Sequence, residues 1–111
     1  MDRITISLTE EVTSLHANIC SALADPRRIL IIYALAKEPR TVNDLAEAIG
    51  ASQPATSRHL KTLRECDLVR TTRLGSSVEY SLADPRLVEA LDLLRLILRD
   101  RIAHHASLIE D

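Results

Sequence analysis

Between Thr41 and Cys66 the chain writes two short helices separated by a two-residue turn, and no other feature restricts the fold as much. The first, TVNDLAEAIG, opens on Thr41 with Asp44 three residues on, the spacing of a capping box, and stops at Gly50, a residue suited to the left-handed conformation of a helix end. The second opens on Ser52, whose side-chain oxygen can cap, with Pro54 in the first turn, where a missing backbone donor has no intrahelical partner to lose. This helix therefore starts near Gln53. Leu60 and Leu63 turn inward, while Gln53, Thr56, Ser57, Arg58 and Lys61 fall on the outward face with His59 near its edge. The pair has helix-turn-helix spacing.

The outward face carries groups that pair with nucleic acid. Gln53 can bond two positions on an adenine edge, Arg58 can bridge a guanine edge or hold phosphate, and Thr56 and Ser57 suit either task. Any amphipathic helix has a polar outer face, so the company of this one decides its reading. Directly after it, Leu68 to Thr72 and Ser77 to Leu82 read as two strands joined around Leu74-Gly75-Ser76, with Arg73 and the serines at the tip. A polar helix beside a basic hairpin is a groove reader with a wing. Thr41 and Ser52 at the helix starts, with Gln53, Thr56, Ser57, Arg58, His59, Lys61, Arg73, Ser76 and Ser77, make up the expected DNA-binding set.

A net charge of −2 on 111 residues fits a DNA binder only because it is unevenly spread. Arg58, Lys61, Arg64, Arg70 and Arg73 outweigh Glu65 and Asp67 over residues 53–78, whereas Asp2, Glu10, Glu11 and Asp25 outweigh Arg3 over residues 1–25. A small basic face on an acidic body favours phosphate contact in one orientation and makes binding salt-dependent. With only Gly50 and Gly75, the chain has no glycine-rich phosphate loop, and no nucleophile, base and orienting group fall together, so an enzyme is disfavoured. No apolar stretch approaches the ~20 residues of a membrane span, and no signal peptide is legible, which predicts a cytoplasmic protein.

The flanking segments are apolar helices. Ser7 and Glu10 form a second capping-box spacing, after which Leu8, Val12, Leu15, Ile19 and Leu23 recur at intervals of three and four. Asp25-Pro26 starts the next helix, which Ile29, Leu30, Ile32, Tyr33 and Leu35 make nearly all buried, and Glu38-Pro39 closes it. Asp84-Pro85 repeats the cap-plus-proline start, and Leu87, Leu91, Leu94, Leu98 and Ile102 then form a stripe that Val88, Leu93, Leu96 and Ile97 widen. Such a surface needs a partner, either the first helix of the same chain or a second copy. A homodimer is the economical answer at this length.

The segments ALADPRRILIIYAL, DLAEAIGASQPATSRHLKTLRECDLV and GSSVEYSLADPRL together resemble the ArsR/SmtB family of winged-helix repressors over nearly the whole chain. The resemblance implies a mainly α fold of five helices with a two-stranded β wing: a single domain over 1–111, with dimerisation helices at 1–24 and 85–106, the helix-turn-helix at 41–66 and the wing at 68–82. It gives DNA-reading roles to Gln53, Thr56, Ser57 and Arg58, with Arg73, Ser76 and Ser77 touching backbone, on an inverted-repeat operator in double-stranded DNA. Asp67 stands just past the recognition helix, where relatives often have glycine.

The signal is less legible. The resemblance places the third-helix cysteine pair of metalloid and cadmium sensors near Thr41 and Asn43, so that site is absent, and the fifth-helix zinc pattern fails because Ile102 follows Asp100 where histidine is needed. Asp100 and His104 are one helical turn apart, next to His105, and could share Ni, Co, Zn or Cd with a partner chain; the alternative is a solvated helix end. His16, a further metal-ligand candidate, and Cys20 are also one turn apart and could act as a thiolate-imidazole pair. Cys66 reads either as half of a recognition-helix thiolate site, with Thr62 in place of its mate, or as a small buried hydrophobe. The leading expectation is a dimeric repressor released from its operator by a metal ion or a thiol-reactive signal. The alternative is a winged-helix module that binds protein, against which the absence of aromatic or large apolar anchors among Gln53, Ser57 and Arg58 argues.

Overall fold

Three helix starts are fixed by side chains that accept from backbone N–H groups otherwise left without partners, and they organise the centre of the chain. Asp25 accepts from the Arg27 N–H ahead of α2 (Pro26–Lys37), Thr41 from Asp44 ahead of α3 (Val42–Ile49), and Ser52 from Ala55 ahead of α4 (Gln53–Glu65). These contacts come from a computed structural model that describes residues 3–110. α3 ends on Gly50 at φ +66°, and α4 is closed by Cys66 and then Asp67 at φ +59°, a left-handed conformation that an aspartate tolerates at some cost. The Leu68 N–H returns to the Leu63 carbonyl at 2.9 Å, so the helix closes on itself before the first strand.

β1 (Val69–Leu74) and β2 (Ser77–Leu82) pair antiparallel from Val69 opposite Leu82 to Leu74 opposite Ser77, leaving Gly75 (φ +63°) and Ser76 as a two-residue turn. The first strand thus runs two residues further than the sequence predicted, and Arg73 lies inside it opposite Val78 rather than at the tip. Arg40 adds a contact that local patterning did not foretell. It exchanges both backbone hydrogen bonds with Tyr80, at 3.0 and 2.8 Å, and so stitches the α2–α3 connection to the wing.

The core is aliphatic, as a chain without Phe or Trp requires. Ile31, Ile32 and Leu35 of α2 meet Leu45 of α3, Leu60 and Leu63 of α4, Leu68, Val69, Ala22 and Leu91. Each fully buried leucine or isoleucine contributes roughly 1.5–3 kcal/mol relative to exposure. α2 is less buried than expected, since Leu30 stays half-exposed on the side away from this core.

α1 (Arg3–Leu15) begins ahead of Ser7, so Ser7 and Glu10 lie inside the helix and do not cap it; the apolar phase set by Leu8 and Val12 simply extends backward. The helix then widens into a π-helical turn at His16–Cys20, closed by the Ser21 N–H on the His16 carbonyl at 3.0 Å. The Asn18 amide bonds the Ser14 carbonyl and the Ser21 hydroxyl the Ala17 carbonyl, competition of the kind that disturbs a regular helical ladder. α5 (Arg86–Glu110) starts where the Asp84 carboxylate accepts from the Arg86 N–H at 2.9 Å, and runs four residues past the expected end. It rests on α2, where the Tyr33 hydroxyl donates to Asp92 at 2.6 Å and the Arg95 guanidinium lies 5.1 Å from the Tyr33 ring centre.

Among the described residues, α1 packs on nothing but its own π-helical continuation, and it does not reach α5. Over the described residues, the two terminal helices of one chain do not pair. Leu8, Val12 and Leu15 on α1, and Leu93, Leu94, Leu96, Ile97, Leu98 and Ile102 on α5, are all exposed. No described helix is long and apolar enough to cross a membrane.

Candidate nucleic-acid interface

Helical phase divides α4 into two faces. Thr56, Leu60 and Leu63, at intervals of four and three, are fully buried, while Gln53, Ser57 and Lys61, one turn apart, are exposed together with Arg58. Thr56 is a correction to the sequence reading. It is 0% exposed, and its hydroxyl donates to the Ser52 carbonyl at 2.8 Å, so it braces the first turn and presents nothing to a ligand. The i+4 spacing to Leu60 carried that signal in the sequence, masked by the polar side chain.

Three further expected residues are partly committed within the fold. The Ser52 side-chain oxygen accepts from the Ala55 N–H at 3.2 Å and the Thr41 oxygen from Asp44 at 3.3 Å, leaving each hydroxyl proton free to donate. His59 is half-buried and turned toward α2, with Nδ1 3.4 Å from an Arg28 guanidinium nitrogen. Because guanidinium has no acceptor, Nδ1 must accept, which puts the ring proton of a neutral His59 on Nε2.

Arg73, Ser76 and Ser77 are exposed on the wing. The fold brings Ser76 and Ser77 to the start of α3, where they line an open cleft of about 530 Å³ with Thr41, Asn43 and Asp44. Asn43, exposed in the first turn of α3, was not singled out from the sequence, because nothing local links it to a hairpin more than thirty residues away. Gln53, Ser57, Arg58 and Lys61 thus stand on one helix face, with the wing and the α3 start forming a second polar surface. Bidentate hydrogen bonding and phosphate contact are the chemistry these groups offer.

The comparisons fit this geometry. The family model described as bacterial regulatory protein, arsR family, matches residues 25–71, which run from the Asp25 cap through α4 into the wing. The transcriptional regulator NmtR of Mycobacterium tuberculosis is 40% identical over 91 residues, covering 82% of this chain and 76% of that protein. The chain belongs to the ArsR family. It is a winged helix-turn-helix, DNA-binding transcriptional repressor. Two solved ArsR-type structures share the fold. The homodimeric winged helix-turn-helix DNA-binding domain from Mycobacterium bovis is 25% identical with TM-score 0.72, covering 94% of this chain and 93% of that one. The cadmium metal-sensor CMTR of M. tuberculosis is 41% identical with TM-score 0.60, covering 70% of this chain and 81% of that one.

The sensing candidates do not converge within one ArsR protomer. His16 and Cys20 are exposed on the π-helical turn, and Asp100, His104 and His105 are exposed on α5, which α1 does not touch. Among the described residues, no group of three or more His, Cys, Asp or Glu could hold a metal ion. Asp84 is taken by Arg86, whose guanidinium lies 2.6 Å away and, with the Arg86 N–H, holds the carboxyl down to about 2. Among the described residues, one chain alone does not assemble a metal centre. Cys66 packs against the core, the environment of a small hydrophobe, and both cysteines are free thiols.

Proposed function

We propose that the chain acts in the cytoplasm as a homodimer that seats two α4 helices in major grooves of an inverted-repeat operator, and that an inducer acting where α1 and α5 pair releases it. The observation that carries this reading is the exposure of two contrasting surfaces: polar α4 with the wing, and the apolar sides of α1 and α5. Gln53, Ser57 and Arg58 read base edges, while Lys61, Arg73, Ser76, Ser77, Ser52 and Thr41 hold backbone. A protein-docking helix would expose large apolar anchors at these positions, and α4 exposes none.

The inducer class that the residues support is a transition-metal ion held between two chains. An Asp100–His104 pair from each α5 would supply two carboxylates and two imidazoles, a donor set suited to Ni, Co or Zn, with His105 adjacent. The solved cadmium metal-sensor shows that a relative of this fold senses metal. Cys20 favours a second reading, a thiol signal, because it is exposed on the helix expected to pair. Either ligand weakens DNA binding only by its differential affinity for one pairing geometry.

Titrating Ni, Co, Zn and Cd, and separately peroxide and persulfide, against the operator complex tests the assignment. Metal release abolished in His104→Ala/His105→Ala supports the two-chain metal site, and thiol-reagent release abolished in Cys20→Ser/Cys66→Ser supports the second reading. An operator complex indifferent to every agent overturns both.

A further inference from the structure

One guanidinium joins α2, α4 and the turn that follows the first helix. Arg28, in the first turn of α2, donates through Nε to the Ala22 carbonyl at 2.6 Å and through a terminal nitrogen to the Ser21 carbonyl at 3.4 Å, both in the turn that follows the first helix. Its other terminal nitrogen lies 3.4 Å from His59 Nδ1 on α4 and 3.9 Å from the Asp25 carboxylate. Ala22 is fully buried and the Arg28 side chain is 16% exposed, so the bonds to Ala22 and His59 are part-buried, while the Ser21 carbonyl stays at the surface. Backbone carbonyls near a helix end need donors from outside the helix; Arg28 serves Ala22 and adds to the Ala24 N–H already donating to Ser21. A planar fork of five donors can serve two carbonyls and an imidazole together, whereas the point charge of a lysine cannot.

We infer that Arg28 is a positioning residue for operator binding: through His59 it sets α4 relative to the end of the helix expected to pair with the second chain. The inference rests on the proposed roles of α4 and α1. A change in the pairing of α1 moves the Ser21–Ala22 carbonyls, and Arg28 carries that displacement to the DNA-reading face through a hydrogen bond that is either made or lost. Neither residue touches DNA in this account.

The test uses the full chain with a selected operator and an unrelated duplex, reading affinity for each together with the melting temperature. Arg28→Lys and His59→Leu are expected to lower operator affinity about tenfold, as loss of one charge-assisted hydrogen bond implies, and to leave affinity for the unrelated duplex within about twofold. The double variant should bind no worse than the weaker single variant, because both remove one link. His59→Asn, whose amide oxygen takes the place of Nδ1, should recover most of the operator affinity, and His59→Gln should not. Should Arg28→Lys fail to fold, the three His59 variants decide alone. Additive losses, Asn no better than Leu, or equal losses on both duplexes overturn the inference. Wild type that selects no DNA sequence overturns the DNA-reading roles and this inference together, whereas wild type that binds with every variant equal to it overturns the inference alone.

Discussion

α4 and α5 both expose a broad face, yet the two faces are made of opposite materials on opposite support. α4 is anchored by buried Thr56, Leu60 and Leu63 and shows solvent mainly polar groups beside Pro54; among its described residues α5 buries only Leu91 and exposes Leu93, Leu94, Leu96, Ile97 and Leu98. A rigid polar face is what reading base edges demands, because a side chain displaced by an ångström misses its partner. A helix left this apolar demands cover, because exposed patches of such extent mark an interaction site. The contrast teaches that the chain is finished on its polar α4 face and leaves the apolar face of α5 without cover, as the proposed pairing requires.

The strongest attempt to break that contrast is Leu94→Glu. A carboxylate placed in the apolar pairing surface, without a partner, costs several kcal/mol, so sedimentation should show monomer and operator affinity should fall by about a hundredfold or more. A dimer that persisted with normal affinity would mean that α5 is covered by something else.

That contrast was largely legible in the sequence, for reasons that differ along the chain. Asp25, Thr41, Gly50 and Ser52 act within three residues of where they stand, so the bounds of α2, α3 and α4 followed from single side chains. The start of α1 did not, because Ser7 has the spacing of a cap but sits inside a helix that already has the phase it needs. Long-range pairing was invisible. Nothing local ties Arg40 to Tyr80 or Arg28 to His59, and the polar character of Thr56 hid a position that its distance from Leu60 makes internal. Of the interface, the exposed placement of Gln53, Ser57, Arg58 and Lys61 follows from helical period alone, whereas the meeting of Thr41 with Ser76 and Ser77 required the fold.

On the polar face the effects should be smaller than at the pairing surface and sensitive to sequence. Gln53→Ala and Arg58→Ala are each expected to cost about 1–3 kcal/mol on the operator and to relax preference at one position, read by competition among single-base operator variants. Arg73→Ala sharpens the division further, since a phosphate contact should weaken all sequences alike and lower the slope of log affinity against log salt by about one. Base preference altered by Arg73→Ala but not by Arg58→Ala would reverse the two roles.

Smallest is Thr56→Val, which keeps the volume but removes the hydroxyl bonded to the Ser52 carbonyl. Chemical denaturation should show a loss of about 0.5–1.5 kcal/mol, with operator preference unchanged. A changed preference would put Thr56 back on the reading face.

The stoichiometry and footprint of the operator complex bear most directly on the whole account. Sedimentation of the complex, paired with hydroxyl-radical footprinting, should give two chains per site and two symmetric protected half-sites about one helical turn, ~34 Å, or a multiple of it apart. One chain bound to a single asymmetric site would contradict it.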